Sequence, residues 1–426
     1  MNSMARQRIA VIGAGISGLA SAYFLACKHD VVLFEAGSYL GGHTNTVDVT
    51  LDGITHPVDT GFLVFNQATY PNLIALLAEL GVESYATDMS FGVSVDNGAL
   101  EWAGTNLDTV FAQRRRIFSL SFLAMLRDIL RFNGAAAENL RAAEISGATL
   151  AQLMQGGGYG ALFRDAYLLP MAAAIWSSSP GDILQFPAST FLRFCLNHAL
   201  LQVSDRPQWQ TVRGGGREYV RKIAVTLADC RINTPVHSVA RTSDGATLTT
   251  NTGREQFDAV VFATHAPQTL RMLTDASSTE AAILSAVRYQ RNTAVLHTDI
   301  RQMPRRHKVW SAWNYMSGPA VDEQSPVCVS YWLNQLQNLP FTTPVMVTLN
   351  PHTRPDPAMV IAEFDYEHPV FDHAAIAAQK KLPSIQGENH VWFAGAWTGY
   401  GFHEDGLKSA LRVAADFDVA PKWAKG

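Results

Sequence analysis

The chain has 426 residues, 47% hydrophobic and 16% charged, with a formal net charge of −4 from 37 acidic and 33 basic side chains. That length allows two or three domains with proper cores, and the balance excludes a disordered chain and gives no reason to expect a nucleic-acid partner. Cys27, Cys195, Cys230 and Cys328 are widely spaced with no C-x-x-C pair, so a disulfide framework or structural zinc is not expected and reduced thiols in a cytoplasm are.

The opening MNSMARQRIAVIGAG runs straight into a glycine motif, so no signal peptide is expected. No apolar run reaches the roughly 18 residues that span a bilayer, so a soluble or peripheral protein is expected. From Arg8 the order is strand, tight turn, helix, strand. Ile9 to Ile12 form an apolar β-run, Gly13, Gly15 and Gly18 supply G-x-G-x-x-G, and VVLFE ends a second strand at Glu35. The three glycines suit a tight turn, close approach to a pyrophosphate and close helix–strand contact. The phosphates would sit on free N–H groups at the helix start, around Ile16 and Ser17. Glu35 stands where a carboxylate meets ribose hydroxyls, with Ala36 beside it. NAD and FAD both remain open at this point.

A second glycine turn, Gly41-Gly42-His43, follows where a simple dehydrogenase domain would continue into a helix, and VDTGFLVFN then brings Asp59, Thr60 and Gly61. Beyond about residue 66 the pattern turns helical. In VFAQRRRIFSLSFLAMLRDILRF, Val110 to Phe132, apolar residues lie broadly on one helical face and five arginines supply charge. It reads as a core-facing helix with a solvated basic end, or as an interfacial helix meeting lipid headgroups. YLLPMAAAIWSSSP and FPASTFLRFCLNHALL are too apolar all round for surface helices and are expected to line or cap the interior, as core or as the wall of an apolar tunnel.

QTVRGGGREYVRKIA gives a triple-glycine turn into a helix, followed by a β-rich segment at Val236 and by DAVVFAT, a buried strand ending at Ala263. VWSAWNYM (Val309 to Met316) and SYWLNQLQ (Ser330 to Gln337) read as aromatic strands, whose Trp313, Asn314, Tyr331, Trp332 and Asn334 could wall a flat ring. FDYEHPVFDH crowds Asp365, Glu367, His368, Asp372 and His373, but Pro369 interrupts the run and metal spacing is not evident, so no metal is expected. Last comes VWFAGAWTGYGFHEDGLKSAL, Val391 to Leu411: a buried strand, a polar aromatic turn and a helix. A helix N-terminus there would stabilise negative charge on a ligand.

These motifs resemble the flavin-containing amine oxidoreductase superfamily, which includes amine oxidases, protoporphyrinogen oxidase and carotenoid desaturases. The resemblance implies an α/β fold: a Rossmann-like FAD-binding domain of residues 1–66, 205–275 and 385–426, interleaved with an α+β substrate domain of residues 67–204 and 276–384. It implies FAD contacts at Gly13, Gly15, Ile16, Ser17, Gly18, Glu35, Ala36, Gly41, Gly42, His43, Thr60, Gly61, Val236, Ala263, Gly395, Ala396, Asp405, Gly406 and Leu407. Three departures stand out. His43 replaces the usual Arg, Ala396 replaces the acid after A-G, and His403 stands where amine oxidases place an aromatic cage residue. The chain has no cysteine after Cys328, so FAD is expected to be non-covalent.

A narrower resemblance rests on NTAVLHTD, WNY, YWLNQLQ, VTLNP, EHPVF and GAWTGYGFHEDG. These look like a group of FAD-binding proteins similar to the flavoprotein region of plant cyclopropane fatty-acid synthases and to a bacterial desaturase of methyl-branched phospholipid chains. That implies an oxidoreductase acting on modified acyl chains. His403, Tyr400, His43 and Tyr331 are then candidates to accept or relay a proton, since histidine titrates near neutral pH. The implied partners are a lipid or other apolar substrate, a cyclopropane-synthase-like methyltransferase and the inner membrane face as a peripheral contact, with no nucleic acid. An amine or amino-acid oxidase and a non-catalytic flavoprotein partner are the alternatives.

Overall fold

Alternate residues of a strand point to opposite faces, and in the glycine-motif strand both faces are apolar. In the computed structural model, which describes residues 6–202, 206–318 and 326–425, this strand is central in a parallel sheet. The sheet contains β1 (Arg8–Ile12), β2 (Asp30–Phe34), β3 (Asp229–Arg231), β4 (Ala259–Phe262) and β5 (Val391–Phe393), in the order β3-β2-β1-β4-β5. Val11 pairs with Leu33 on one side and Val261 on the other.

On one face, Ile9, Val11, Leu33 and Val261 pack with residues of helices Ile16–Leu25 and His403–Asp416. Ala10, Ile12, Phe34, Val260 and Phe262 fill the other, under the three-stranded sheet Val236–Thr242, Gly245–Thr250, Gly253–Phe257 and helix Ser278–Ser285. Strands remote in sequence thus share one core. The expected boundary at 204/205 lies outside the described residues.

The other half is built on a seven-stranded sheet running Val360–Val370, Arg288–His297, Met346–Leu349, Cys328–Trp332, Trp313–Met316, Phe91–Val95, Leu100–Ala103. Helices between Leu120 and Asn197 share its apolar cluster, where Phe122, Phe132, Phe163, Phe186 and Phe191 are fully buried. Each such side chain contributes roughly 2–3 kcal/mol relative to exposure.

Three expected elements differ. SYWLNQLQ is strand only to Trp332; Leu333–Gln337 is a helix, because Leu333 and Leu336 recur at helical spacing and both are buried. Gln337 then clamps Asp59, accepting from its N–H at 2.8 Å and donating to its carbonyl at 2.9 Å. The first aromatic strand begins at Trp313 instead of Val309, since Asn314 Oδ1 accepts from Ser311 N–H at 3.0 Å and holds that stretch in a turn. The stretch from Val110 is broken into a helix Leu107–Val110, a short 3-10 turn Arg114–Phe118 and a helix Leu120–Gly134 whose N-cap is Ser119.

Candidate active site

A cavity of about 720 Å³ is lined from both halves of the molecule. Its first end is made mostly of backbone. Gly13 holds φ +97°, and a Cβ there would stand 2.7 Å from the Ala263 carbonyl oxygen, so no other residue fits. Gly15, Ile16 and Ser17 bring the first turn of helix Ile16–Leu25 to the cavity wall. Glu35 is oriented by two backbone donors, Ala14 N–H to Oε2 at 2.8 Å and Gly37 N–H to Oε1 at 2.7 Å. Ala36, Gly41, Gly42, Thr60, Gly61, Val236 and Ala263 also line this cavity. Gly61 leaves no room for a side chain, since a Cβ would lie 2.2 Å from the His43 carbonyl oxygen.

The HED segment divides its labour. His403 lines the cavity, stacked on Phe62 at 3.7 Å between ring centroids, with Nε2 hydrogen-bonded to Thr44 Oγ1 at 2.8 Å. Glu404 is buried and caps a different helix, accepting from Leu73 N–H at 3.0 Å and Asn72 N–H at 3.2 Å at the start of Pro71–Glu79. Asp405 accepts from Phe402 N–H at 3.1 Å, closing the first turn of its own helix, and burial pushes its carboxyl up to about 6.

Four of the expected cofactor contacts do not line this cavity. Asp405 is a helix cap. Gly406 is a packing glycine, whose Cβ would meet Ile16 Cγ2 and Ser17 Oγ at 2.8 Å, and it lets the two helices touch. Leu407 is core. Gly18 does not reach the cavity either, because its missing Cβ would lie 1.8 Å from the Gly13 carbonyl oxygen and it serves the turn. All four lie one layer behind the lining.

His403, Tyr400, His43 and Tyr331 all line the cavity. The expectation that histidine here titrates near neutrality is corrected: burial lowers His403 to about 3, and burial with His368 nearby lowers His43 well below the usual range. Burial raises the phenols of Tyr331 and Tyr400. All four are uncharged at pH 7. His43 stacks on Tyr366 at 5.0 Å, and its Nε2 is buried without a partner among the described residues.

Sequence reasoning singled out none of His198, His265, His368, Tyr366 and Trp397 as a site residue, and all five are on the lining. His198 donates from Nδ1 to the Phe194 carbonyl at 3.0 Å, and burial lowers it to about 4. His368 and Glu367 sat in the run first weighed as metal-like. The strand separates them: Glu367 pairs with His265 at 3.0 Å, while His368 bonds Asn292 at 2.9 Å and Asp372 caps helix His373–Lys381. The aromatic set divides likewise. Trp313 and Tyr331 form a cross-strand pair at 5.0 Å on the cavity wall, whereas Trp332 turns away to Trp310 and Asn334 donates to the Phe341 and Thr343 carbonyls.

A family model described as flavin containing amine oxidoreductase matches residues 16–297. The chain belongs to that family. FAD is its cofactor, and it is an FAD-dependent oxidoreductase. Solved structures agree in fold. A CLA-producing fatty acid isomerase from P. acnes aligns over 98% of this chain and 100% of its own at 15% identity and TM-score 0.68. A putrescine oxidase with putrescine bound aligns over 97% and 99% at 16% identity and TM-score 0.68. Cyclohexylamine oxidase from Brevibacterium oxydans IH-35A aligns over 97% and 98%, also at 16% identity and TM-score 0.68. Identities this low establish shared fold and leave substrate open. No curated protein sequence gives a match.

The flavoprotein's cavity fits FAD on its own terms. Its glycine cradle admits a phosphate chain at a helix N-terminus, Glu35 stands ready for ribose hydroxyls, and the buried Trp397 N–H and His43 Nε2 await partners. Among the described residues no cysteine lines this cavity.

Proposed function

We propose that this oxidoreductase removes hydrogen from modified fatty-acyl chains of lipids, methylated or cyclopropane-bearing. The observation that carries the reading is the far wall of the cavity. Leu63, Val64, Ile175, Trp176, Leu349 and Phe371 present hydrocarbon there, and His198, His403 and Tyr331 stay uncharged at neutral pH. A hydrocarbon chain gains about 0.8 kcal/mol per buried CH₂ by entering such a site. A cationic amine would leave water to meet, among the described residues, two lining carboxylates. Glu35 is engaged by backbone N–H groups, and Glu367 by His265 and Arg291.

Dehydrogenation takes two hydrogens from adjacent carbons, one leaving with both electrons and one as a proton, and a C=C bond forms. FAD, when bound, is the two-electron acceptor for such a bond. The chain's residues hold the substrate, exclude water and receive the proton, and the neutral imidazoles of His43 and His403 offer the hydrogen-bonding positions. A cyclopropane-synthase-like methyltransferase is the class of enzyme that would supply the modified chain.

The second reading is oxidation of an amine, favoured by the family's description and by the fold shared with the two amine oxidases. Anaerobic mixing of the yellow protein with phospholipids carrying methyl-branched or cyclopropane chains, and separately with a panel of amines, decides between them. Bleaching of flavin absorbance by lipid is expected. Bleaching by amines alone sinks the lipid reading. No bleaching by either, with co-purification of a methyltransferase, identifies a non-catalytic partner instead. Because burial holds all four candidate groups uncharged, the reduction rate should be flat between about pH 7 and 9. A bell centred in that window would show that a different group moves the proton.

A further inference from the structure

The segment 107–134 has an unusual surface. Leu107, Phe118, Leu120 and Leu130 are 76%, 86%, 85% and 63% exposed. On helix Leu120–Gly134 the side chains of Leu120, Leu123, Arg127 and Leu130 recur at helical spacing and all face out, while Phe122, Met125 and Phe132 are buried. A helix that only covers a core carries polar residues outward. This one is apolar on both faces, and its outer face has no cover.

Charge distinguishes it again. The segment holds five arginines against two aspartates in a chain whose net charge is −4. Both acids are already engaged: Asp108 by Arg114 and Lys308, and the buried Asp128 by Arg127, Arg131 and the Gly160 N–H. Arg115 is exposed and has no acidic partner among the described residues. The patch is therefore cationic as well as apolar.

We propose that this face docks on an anionic phospholipid bilayer. Phe118 and Leu120 would enter the headgroup boundary, and the guanidinium group of Arg115 would meet lipid phosphate, for which its forked donors are suited. A second copy of the chain would bring arginines against arginines, and a nucleic acid would satisfy the arginines while leaving Phe118 and Leu120 in water. Of the three, the bilayer answers both features. Among the described residues no helix is long and apolar enough to cross a membrane, so the contact is to a surface. It rests on exposure and charge, and stands whichever substrate the cavity takes.

The test is sedimentation of the FAD-loaded full chain with vesicles of phosphatidylglycerol and phosphatidylcholine in equal parts, against phosphatidylcholine alone. Binding to the anionic vesicles is expected, weakening in high salt. Phe118→Ser combined with Leu120→Ser should lower affinity at least about tenfold, since each apolar side chain contributes roughly 1–2 kcal/mol at an interface. Arg115→Glu should weaken binding to anionic vesicles by about fivefold or more, as roughly 1 kcal/mol attends each cation near such a surface. Both variants are on the surface, so unchanged flavin absorbance and melting temperature show that the fold is intact. The proposal is overturned if the unmodified protein does not sediment with anionic vesicles, or if the serine variant binds as well as the parent. Lipid-free self-association abolished by the serine substitutions would also overturn it, assigning the face to a second copy. None of these readouts involves flavin reduction, so this inference and the acyl-chain reading fail independently.

Discussion

At one end of the cavity the surface offered to a ligand is backbone: Gly13, Gly15, Gly41 and Gly42, with helix N–H groups beside them. At the other end it is side chain: Trp176, Phe194, Trp313, Tyr331, Leu349 and Phe371, drawn from six separate segments. A backbone cradle leaves no tolerance, because any Cβ displaces the ligand or the next strand. A wall of side chains tolerates changes that keep its volume, and so can be retuned to a new substrate while the cofactor stays. One fold can in this way serve acids, amines and hydrocarbons.

The largest expected effect tests that contrast directly. Gly13→Val forces a side chain into a φ +97° position 2.7 Å from the Ala263 carbonyl oxygen, and the purified protein should be colourless. Leu349→Met on the opposite wall keeps volume and should leave flavin content unchanged and stability within about 1.5 kcal/mol. Flavin bound normally by Gly13→Val would break the comparison.

Acid should loosen the side-chain end first. His403, His368 and His198, lowered by burial to about 3, 4 and 4, are neutral in the folded state while the unfolded chain titrates near 6.5. The unfolded state therefore binds protons first, and stability is lost as pH falls from 6.5 toward 4, by up to roughly 3 kcal/mol for each histidine. Asp59 and Asp405, both pushed up to about 6 by burial, act oppositely. Each favours the folded state most when protonated, so between pH 6 and 4 they offset part of the loss. Calorimetry from pH 7.5 down to 4.5 should show a falling melting temperature, and a constant one would refute the burial argument.

A smaller effect sharpens the cofactor end. Glu35→Gln keeps shape and removes charge, and should weaken FAD roughly tenfold to a hundredfold, the range for a hydrogen bond to a charged group. Once the site is saturated, the reduction rate should not change, because Glu35 serves binding alone. Titration of flavin fluorescence measures the first and stopped-flow absorbance the second.

Much of the cofactor end was legible because its residues are neighbours in sequence. A strand, three glycines, a helix start and an acid after the next strand lie within the first 35 residues. What misled there was depth: Gly18, Asp405, Gly406 and Leu407 belong to the motifs yet stand one layer behind the lining, as turn, cap, helix contact and core. The substrate end was hardly legible. His198 lies in a segment read as core or tunnel wall, His368 in a crowded acidic and histidine run from which no metal was expected, and Trp397 in a polar aromatic turn. Only the meeting of a helix, the seven-stranded sheet and the turn after β5 brings them to one cavity.

By itself the sequence determined the dinucleotide motif, the family and its cofactor, and the crowding of aromatic residues, since all of these are written in short-range spacing that backbone geometry reads locally. Tertiary structure alone decided which aromatic residues face the cavity and that its histidines are neutral. It alone gave Glu404 to another helix and left Phe118 and Leu120 uncovered. Burial is a property of how remote segments meet, and burial sets both the charge of a histidine and the exposure of a leucine.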